Sequence, residues 1–197
     1  MKKLIFAVAA LLLVMKASAQ TDSLSFDENN KYIYYQVVIQ PNLKADTLYK
    51  RAVQFLKTAY DKDKLKLDKE DKAKGSVTGK GGFMVSRKAL VSTHEDAKIA
   101  YKLHIEVKDG RYRFWLTDYV VILYQRNRYA SFEPVSGKDV PLELGLKKLG
   151  QKDFDDFFNK TLLNSRAISN KLKAYMVSVP ALQPKDNKVK TVNTKEW

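Results

Sequence analysis

The sequence predicts an α+β fold: an antiparallel sheet with the order strand, helix, four strands, helix, and with both helices on one face. Several segments alternate apolar and polar residues with a period of two, which is typical of strands. Two others carry apolar residues at helical spacing. Because both helices need an apolar surface to pack on, we expect them on the same face, which leaves the other face of the sheet open.

The first nineteen residues are predicted to be a signal peptide that is cleaved after Ala19. They combine a basic start at Lys2 and Lys3 with an apolar run, 4–15, and small residues before the cleavage point. Lys16 interrupts the apolar run well short of the roughly 20 residues that a membrane-spanning helix needs. We therefore expect export to the periplasm or the outside of the cell, with no membrane span after cleavage.

The amino-acid composition excludes two common kinds of catalytic or metal site. The 197 residues include no cysteine and only two histidines, His94 and His104, so a thiolate nucleophile and a multi-histidine metal cage are excluded. No cofactor is predicted. The net charge of +14 stays strongly positive after the three leader lysines are removed. Such a charge favours anionic partners, or simply keeps a lysine-rich surface soluble.

A single folded domain is predicted for residues 31–176, after a polar segment at residues 20–30. Ile33, Tyr35, Val37 and Ile39 alternate with other residues and predict a strand. After a break at Pro41, an amphipathic pattern predicts a helix over about residues 45–60.

Two strands are predicted next, the first around residues 65–67 and the second after the glycine-rich run 75–82. Glycines in a strand often mark a bulge or a sharp bend, so we expect the second strand to be irregular there.

A hairpin around Asp109-Gly110 is the clearest local signal. The alternating segment 99–107 ends at this dipeptide, which favours a two-residue turn. A tight turn fixes the register, and the predicted pairs on the apolar face are Val107 with Tyr112, Ile105 with Phe114, and Leu103 with Leu116. The opposite face then pairs Glu106 with Arg113 and His104 with Trp115.

The rest of the chain predicts one more helix. The returning strand is expected to continue to about Tyr124, followed by a loop with short extended pieces through Pro134 and Pro141. From Asp153 onward an apolar stripe has helical spacing, with aspartates in the first turn and lysines in the last. Residues 177–197 are predicted to be a disordered basic tail.

Three segments resemble a bacterial family of exported proteins: Asp46-Thr47-Leu48-Tyr49 at the helix start, Gly79-Lys80-Gly81 in the glycine-containing strand, and the turn 108–113. The sequence is similar here, and in the order of its elements, to domain-of-unknown-function family 4468, over about residues 31–123. The resemblance implies a TATA-binding-protein-like fold and an exported protein. It implies no catalytic residues, and a fold shared with a DNA-binding protein does not transfer DNA binding.

The open sheet face is the candidate site. The predicted register gathers basic and aromatic side chains there, namely Lys102, His104, Arg111, Arg113, Trp115 and Tyr119. Such a set can hold anionic or sugar-like ligands by ion pairing and stacking. Alternatively, these residues pack beneath the loop 124–150 or against a second subunit. His94-Glu95-Asp96 is interpreted as a solvated connection between strands and not as a metal or acid/base cluster.

Three functions follow, in order of preference. The first is a non-enzymatic envelope protein whose sheet face binds a second copy, another envelope protein or glycan, or an anionic surface. The second is a small envelope hydrolase that uses His104 with a carboxylate such as Glu106 or Asp118. The third is binding of an anionic polymer or nucleic acid, which rests on charge and fold analogy; the signal peptide argues against nucleic acid.

Overall fold

The computed structural model describes residues 23–61, 64–88 and 93–178. The predicted signal peptide and the predicted tail from residue 179 onward lie outside these residues. In the described part, no helix combines the length and apolar composition needed to cross a membrane.

The described chain forms an antiparallel sheet and a set of helices. The strands are β1 (Ser25–Phe26), β2 (Tyr32–Ile39), β3 (Leu65–Asp71), β4 (Ser76–Lys88), β5 (Thr93–Lys108), β6 (Arg111–Arg126) and β7 (Phe132–Pro141). The helices are α1 (Ala45–Thr58), α2 (Gly145–Leu149) and α3 (Gln151–Val177), with a short 3-10 turn at Leu142–Leu144.

The strands lie side by side in the order β1-β2-β6-β5-β4-β3. β2 pairs with the first part of β6, from Arg111 to Leu116, whereas β7 pairs with the later part, from Val120 to Arg126. The two strands therefore share one side of β6, end to end.

The predicted hairpin is confirmed in register. Its observed cross-strand pairs include Val107 with Tyr112, Glu106 with Arg113, Ile105 with Phe114, His104 with Trp115, and Leu103 with Leu116. A two-residue turn leaves one way to align strands whose apolar residues must share a face, so turn and pattern together determined the pairing.

The core lies between the sheet and the helices. Leu48 and Phe55 of α1, Leu172 of α3 and the sheet residues Ile105 and Phe114 are fully buried. Both long helices thus cover the same face, and the predicted fold class is confirmed.

Small polar side chains of α3 face the sheet where β2 and β6 lie beneath it. Ser169 donates a hydrogen bond to the Gln36 side chain over 3.2 Å, and the Gln36 amide in turn donates to the Tyr34 hydroxyl over 2.8 Å. Tyr34 and Gln36 are therefore on the helix side of β2. The apolar set Ile33, Tyr35, Val37 and Ile39, which predicted the strand, lies on the other side.

Two local predictions were wrong. The loop predicted through Pro134 and Pro141 is the strand β7, which lies at the sheet edge, where a proline without an N–H can be tolerated. β4 was predicted to be bulged or sharply bent at its glycines, and the bulge was placed on the wrong strand: the extra residue is Asp68 of β3, opposite the glycine-containing part of β4.

Candidate binding face of the sheet

The face of the sheet turned away from the helices is called the open face below. Its side chains alternate with the core residues of each strand. They are Tyr35, Val37 and Ile39 on β2, Arg111, Arg113 and Trp115 on β6, Lys102, His104 and Glu106 on β5, and Thr78 and Lys80 on β4. No helix of the described residues covers it.

Three rings cross the centre of the open face on adjacent strands; we call Tyr35, Trp115 and His104 the aromatic row. Tyr35 pairs with Trp115, and Trp115 pairs with His104, in the strand register. The His104 and Trp115 rings are stacked, with centres 4.9 Å apart and planes within 5° of each other. The Tyr35 ring lies 6.4 Å from Trp115 at a tilt of 37°. Because the His104 ring stacks on one face of Trp115 and the Tyr35 ring lies beside it at a tilt, a partner would meet mainly the edges of these rings.

His104 is held by Thr78 rather than by a carboxylate. Its Nδ1 lies 3.3 Å from the Thr78 hydroxyl oxygen, which is on the paired strand β4. Partial burial lowers the pKa of His104 below its ordinary value. This lowering favours the neutral form of the ring at pH 7. In the described residues no carboxylate hydrogen-bonds to it, so the geometry gives the hydrolase hypothesis no support.

Arg113 is fixed beside the aromatic row. Its Nε and Nη2 both donate to the Glu106 Oε2, at 2.7 and 2.6 Å. Its guanidinium carbon lies 5.5 Å from the centre of the Trp115 ring, within the range of a cation–π contact. The hydrogen bond with Glu106, and then that with Tyr35, raises the pKa of Arg113. The predicted pair of Glu106 with Arg113 is confirmed.

Asp118 forms ion pairs with two lysines on the other side of the aromatic row. Its carboxylate accepts from Lys102 at 2.8 Å and also pairs with Lys31. Burial alone would raise the pKa of Asp118, but the hydrogen bonds from Lys102 and Lys31 outweigh it, and the pKa lies below its ordinary value.

Tyr119 was predicted on the open face, and this prediction was wrong. Lys102 pairs with Thr117 and Ala100 pairs with Val120, so Asp118 and Tyr119 together face the single residue between them, Tyr101. Asp118 takes a left-handed backbone conformation, with φ of +53°, at this bulge. The extra residue reverses the alternation, so Tyr119 points into the core, where its hydroxyl lies 2.9 Å from Ser165 Oγ.

The sequence does carry a signal for this bulge. The apolar positions of β6 shift from the even numbers Phe114 and Leu116 to the odd numbers Tyr119 and Val121. Such a change of phase within one strand indicates one extra residue.

Two depressions in the surface flank the aromatic row. The arginine depression, of about 270 Å³, is lined by Lys108, Arg111 and Arg113 with Glu106, Tyr35 and Val37 among its walls. The lysine depression, of about 510 Å³, is lined by Lys31, Lys80 and Lys102 with Asp118 and Glu143. Each therefore holds three basic side chains.

The structure brings together most of the predicted set. Lys102, His104, Arg113 and Trp115 lie on the open face around the row, and Arg111 lies toward its end at the hairpin turn. Reasoning from the hairpin missed Tyr35, Thr78 and Lys80 as members of the face, and it missed Lys31 beside the face. These residues come from β4, β2 and the segment before β2, whose places in the sheet depend on long-range pairing.

The segment His94-Glu95-Asp96 is part of β5, not a connection between strands as predicted. The Asp96 carboxylate pairs with Arg87 at 2.9 Å, and Arg87 also contacts Asp153 of α3. These contacts tie the strand pair to the helix. The described residues contain no group of three or more potential metal ligands.

Comparisons with known proteins agree on one family. Residues 34–121 match the family model of the domain of unknown function DUF4468 with TBP-like fold. No curated protein matches the chain.

Two solved structures are similar in fold. A DUF4468 family protein from Bacteroides ovatus is 13% identical, with a TM-score of 0.60 over 82% of this chain and 94% of that one. A TBP-like protein from Parabacteroides distasonis is 19% identical, with a TM-score of 0.58 over 77% of this chain and 96% of that one. The predicted resemblance is therefore confirmed: over residues 34–121 the chain is similar to the DUF4468 family, and it has a TBP-like fold.

Proposed function

We propose that this chain is an exported, non-enzymatic binding module whose open face docks a partner. One observation carries the proposal: large apolar side chains are exposed on β2, beside Trp115 of the neighbouring strand β6. Ile39 is 74% exposed, Tyr35 39% and Val37 37%, and they adjoin Trp115. An apolar and aromatic surface of this kind is typical of an interaction site.

The alternative hypothesis is that the residues of the open face pack beneath the segment 124–150. The position of that segment disfavours this hypothesis. That segment forms the end of β6, β7, the 3-10 turn and α2. β7 pairs with β6 beyond the bulge, away from Trp115, which lies before it. Among the described residues, no part of the segment 124–150 therefore lies over the aromatic row, which supports its being available to a second molecule.

Export is supported by the leader pattern at residues 1–19 and by the resemblance to an exported family. It is tested by fractionating cells and measuring the mass of the recovered chain. A chain that begins at Gln20 in the envelope or medium is the expected result. A full-length chain in the cytoplasm would contradict the proposed export.

Docking is tested by crosslinking in intact cells, followed by mass spectrometry of the captured molecules. Trp115→Ala combined with Arg113→Ala is expected to abolish a reproducible crosslink. Tyr35→Ser provides a milder change to the same row. The matched control is Leu163→Ala with Lys50→Ala, which removes an exposed apolar group and a cation from the helices.

Thermal melts of each variant separate a loss of docking from a loss of folding. A partner that is captured equally by the wild type, by Tyr35→Ser and by a folded double variant would remove the open face from consideration.

A further inference from the structure

The open face carries an excess of positive charge that the fold tolerates at a cost. Lys66, Lys80 and Lys102 are direct cross-strand partners on β3, β4 and β5. Like charges placed directly opposite in a sheet destabilise it. Asp68 pairs with Lys80 at 3.0 Å and Asp118 pairs with Lys102, but Lys66 forms no ion pair with any described residue.

The charges fall into two groups with an uncharged stretch between them. Lys102 and Lys108 contribute to the lysine and the arginine depression, respectively, and lie six residues apart on the same strand. At about 3.4 Å per residue, this separation is roughly 20 Å. Between them lie His104 and Trp115, which carry no full charge here.

We propose that the open face binds an acidic polysaccharide, which runs from the lysine depression across the aromatic row to the arginine depression. This inference rests on the proposed function and names its partner. Lysine and arginine side chains in the two depressions pair with the polymer's carboxylates. The sugar hydroxyls donate to Asp118 and Glu143, and the apolar parts of the sugar rings pack on the edges of Tyr35 and Trp115.

The charge distribution disfavours a second copy as the occupant. A two-fold dimer places the same patch of both subunits in contact. Each open face has a positive excess at the arginine depression, where three basic side chains line the surface with one carboxylate, so two such faces would repel each other there.

The charge distribution also fits a nucleic acid less well. A nucleic-acid strand carries a phosphate about every 3.4 Å. Such a strand would bring phosphates against the carboxylates of Glu106 and Asp118 and against the rings of the aromatic row, where the neighbouring Lys102 and Arg113 are already paired with those carboxylates. A polysaccharide with a charge only on some of its sugars can place anions in the depressions and hydroxyls between them.

The test uses the chain from Gln20 and, as the probe, hyaluronate, in which a carboxylate-bearing sugar alternates with a neutral one. Binding is measured by calorimetry. Lys80→Gln with Lys102→Gln alters the lysine depression, and Lys108→Gln with Arg111→Gln alters the other. Each pair of changes is expected to weaken binding about tenfold, because each lost contact is taken to contribute a free energy at the upper end of the range for exposed ion pairs. The control, Lys50→Gln with Lys57→Gln on α1, removes the same charge from the other side of the sheet and should change binding less than about twofold.

Ligand length and ligand charge provide two further arms. The hyaluronate disaccharide is too short to reach both depressions. It should therefore bind more weakly than one chain of the polymer, and only one of the two pairs of changes should weaken its binding. Neutral dextran should not bind. Equal effects of the control and the test pairs, equal binding of dextran, or tighter binding of a single-stranded oligonucleotide would each overturn the inference.

The two proposals fail in distinguishable ways. If hyaluronate does not bind but the cellular crosslink is lost with Trp115→Ala and Arg113→Ala, the polysaccharide inference is wrong and the docking function stands. If the crosslink is also independent of the open face, both are wrong.

Discussion

Gly81→Ala is expected to destabilise the domain by about 2 kcal/mol, whereas the same change at the neighbouring Gly82 is expected to be nearly neutral. A Cβ on Gly81 would lie 2.5 Å from the Lys64 carbonyl oxygen and 2.7 Å from the Tyr101 ring and hydroxyl. A Cβ on Gly82, on the opposite face of β4, would meet the Lys98 Cε at 2.7 Å. Backbone and a buried ring cannot move aside easily, but the end of a lysine chain can.

The magnitude combines three contributions. Overpacking costs about 1–3 kcal/mol. Displacing Tyr101 also weakens its hydrogen bond to the Lys64 carbonyl, now 3.3 Å, which costs about 1 kcal/mol. Alanine also lowers the conformational entropy of the unfolded chain, which stabilises the folded state by about 0.4–1 kcal/mol. For Gly82→Ala, this entropic stabilisation offsets a small steric cost. That cost includes an approach of 3.2 Å between the new Cβ and the Ile99 carbonyl oxygen.

Urea unfolding followed by circular dichroism measures the difference directly. At about 2–4 °C per kcal/mol for a domain of this size, Gly81→Ala should lower the melting temperature by roughly 4–8 °C. A difference of less than about 0.5 kcal/mol between the two variants would show that Gly81 does not serve a close approach, and the packing argument would fail.

Three further predictions concern the bulge and the aromatic row. Tyr119→Phe should lower the free energy of unfolding by about 1–2 kcal/mol because it leaves Ser165 without its partner, and the double change with Ser165→Ala should cost less than the sum. The pKa of His104 is lower in the folded domain than in the unfolded chain, where it is about 6.5. The domain should therefore have its full stability above about pH 6.5 and lose stability as the pH falls toward the folded pKa. His104→Gln should flatten that part of the stability profile, and NMR titration of the ring should give a folded pKa below 6.5; a higher value would contradict the burial argument. At Asp118, glycine should be tolerated better than valine, because φ is +53° there, and equal unfolding midpoints would refute this.

Part of the candidate site could be predicted because it lies within one hairpin. The Asp109-Gly110 turn and the alternation of β5 set the pairs His104 with Trp115 and Glu106 with Arg113, and both were confirmed. Local pairing depends on residues close in sequence, so the register follows from the turn. The role of these residues in binding stays a prediction.

Other features required the whole sheet. The alternation in β2 predicted a strand, but not that Tyr35 would join Trp115 while Gln36 faced α3. Side-chain alternation defines two faces without saying which one is buried. Here α3 presents Ser169 to the sheet, so the buried side of β2 could be partly polar and its apolar set could remain outside.

The sequence by itself determined the α+β class, the two long helices, the central hairpin and the excess of positive charge, because these depend on local periodicity, turn chemistry and composition. Only the tertiary structure decided that Lys66, Lys80 and Lys102 line up, that Tyr35 completes the aromatic row, and that Tyr119 is buried. Those arrangements depend on which distant strands pair and on a single extra residue at Asp118. A shift of one residue moves every following side chain to the other face.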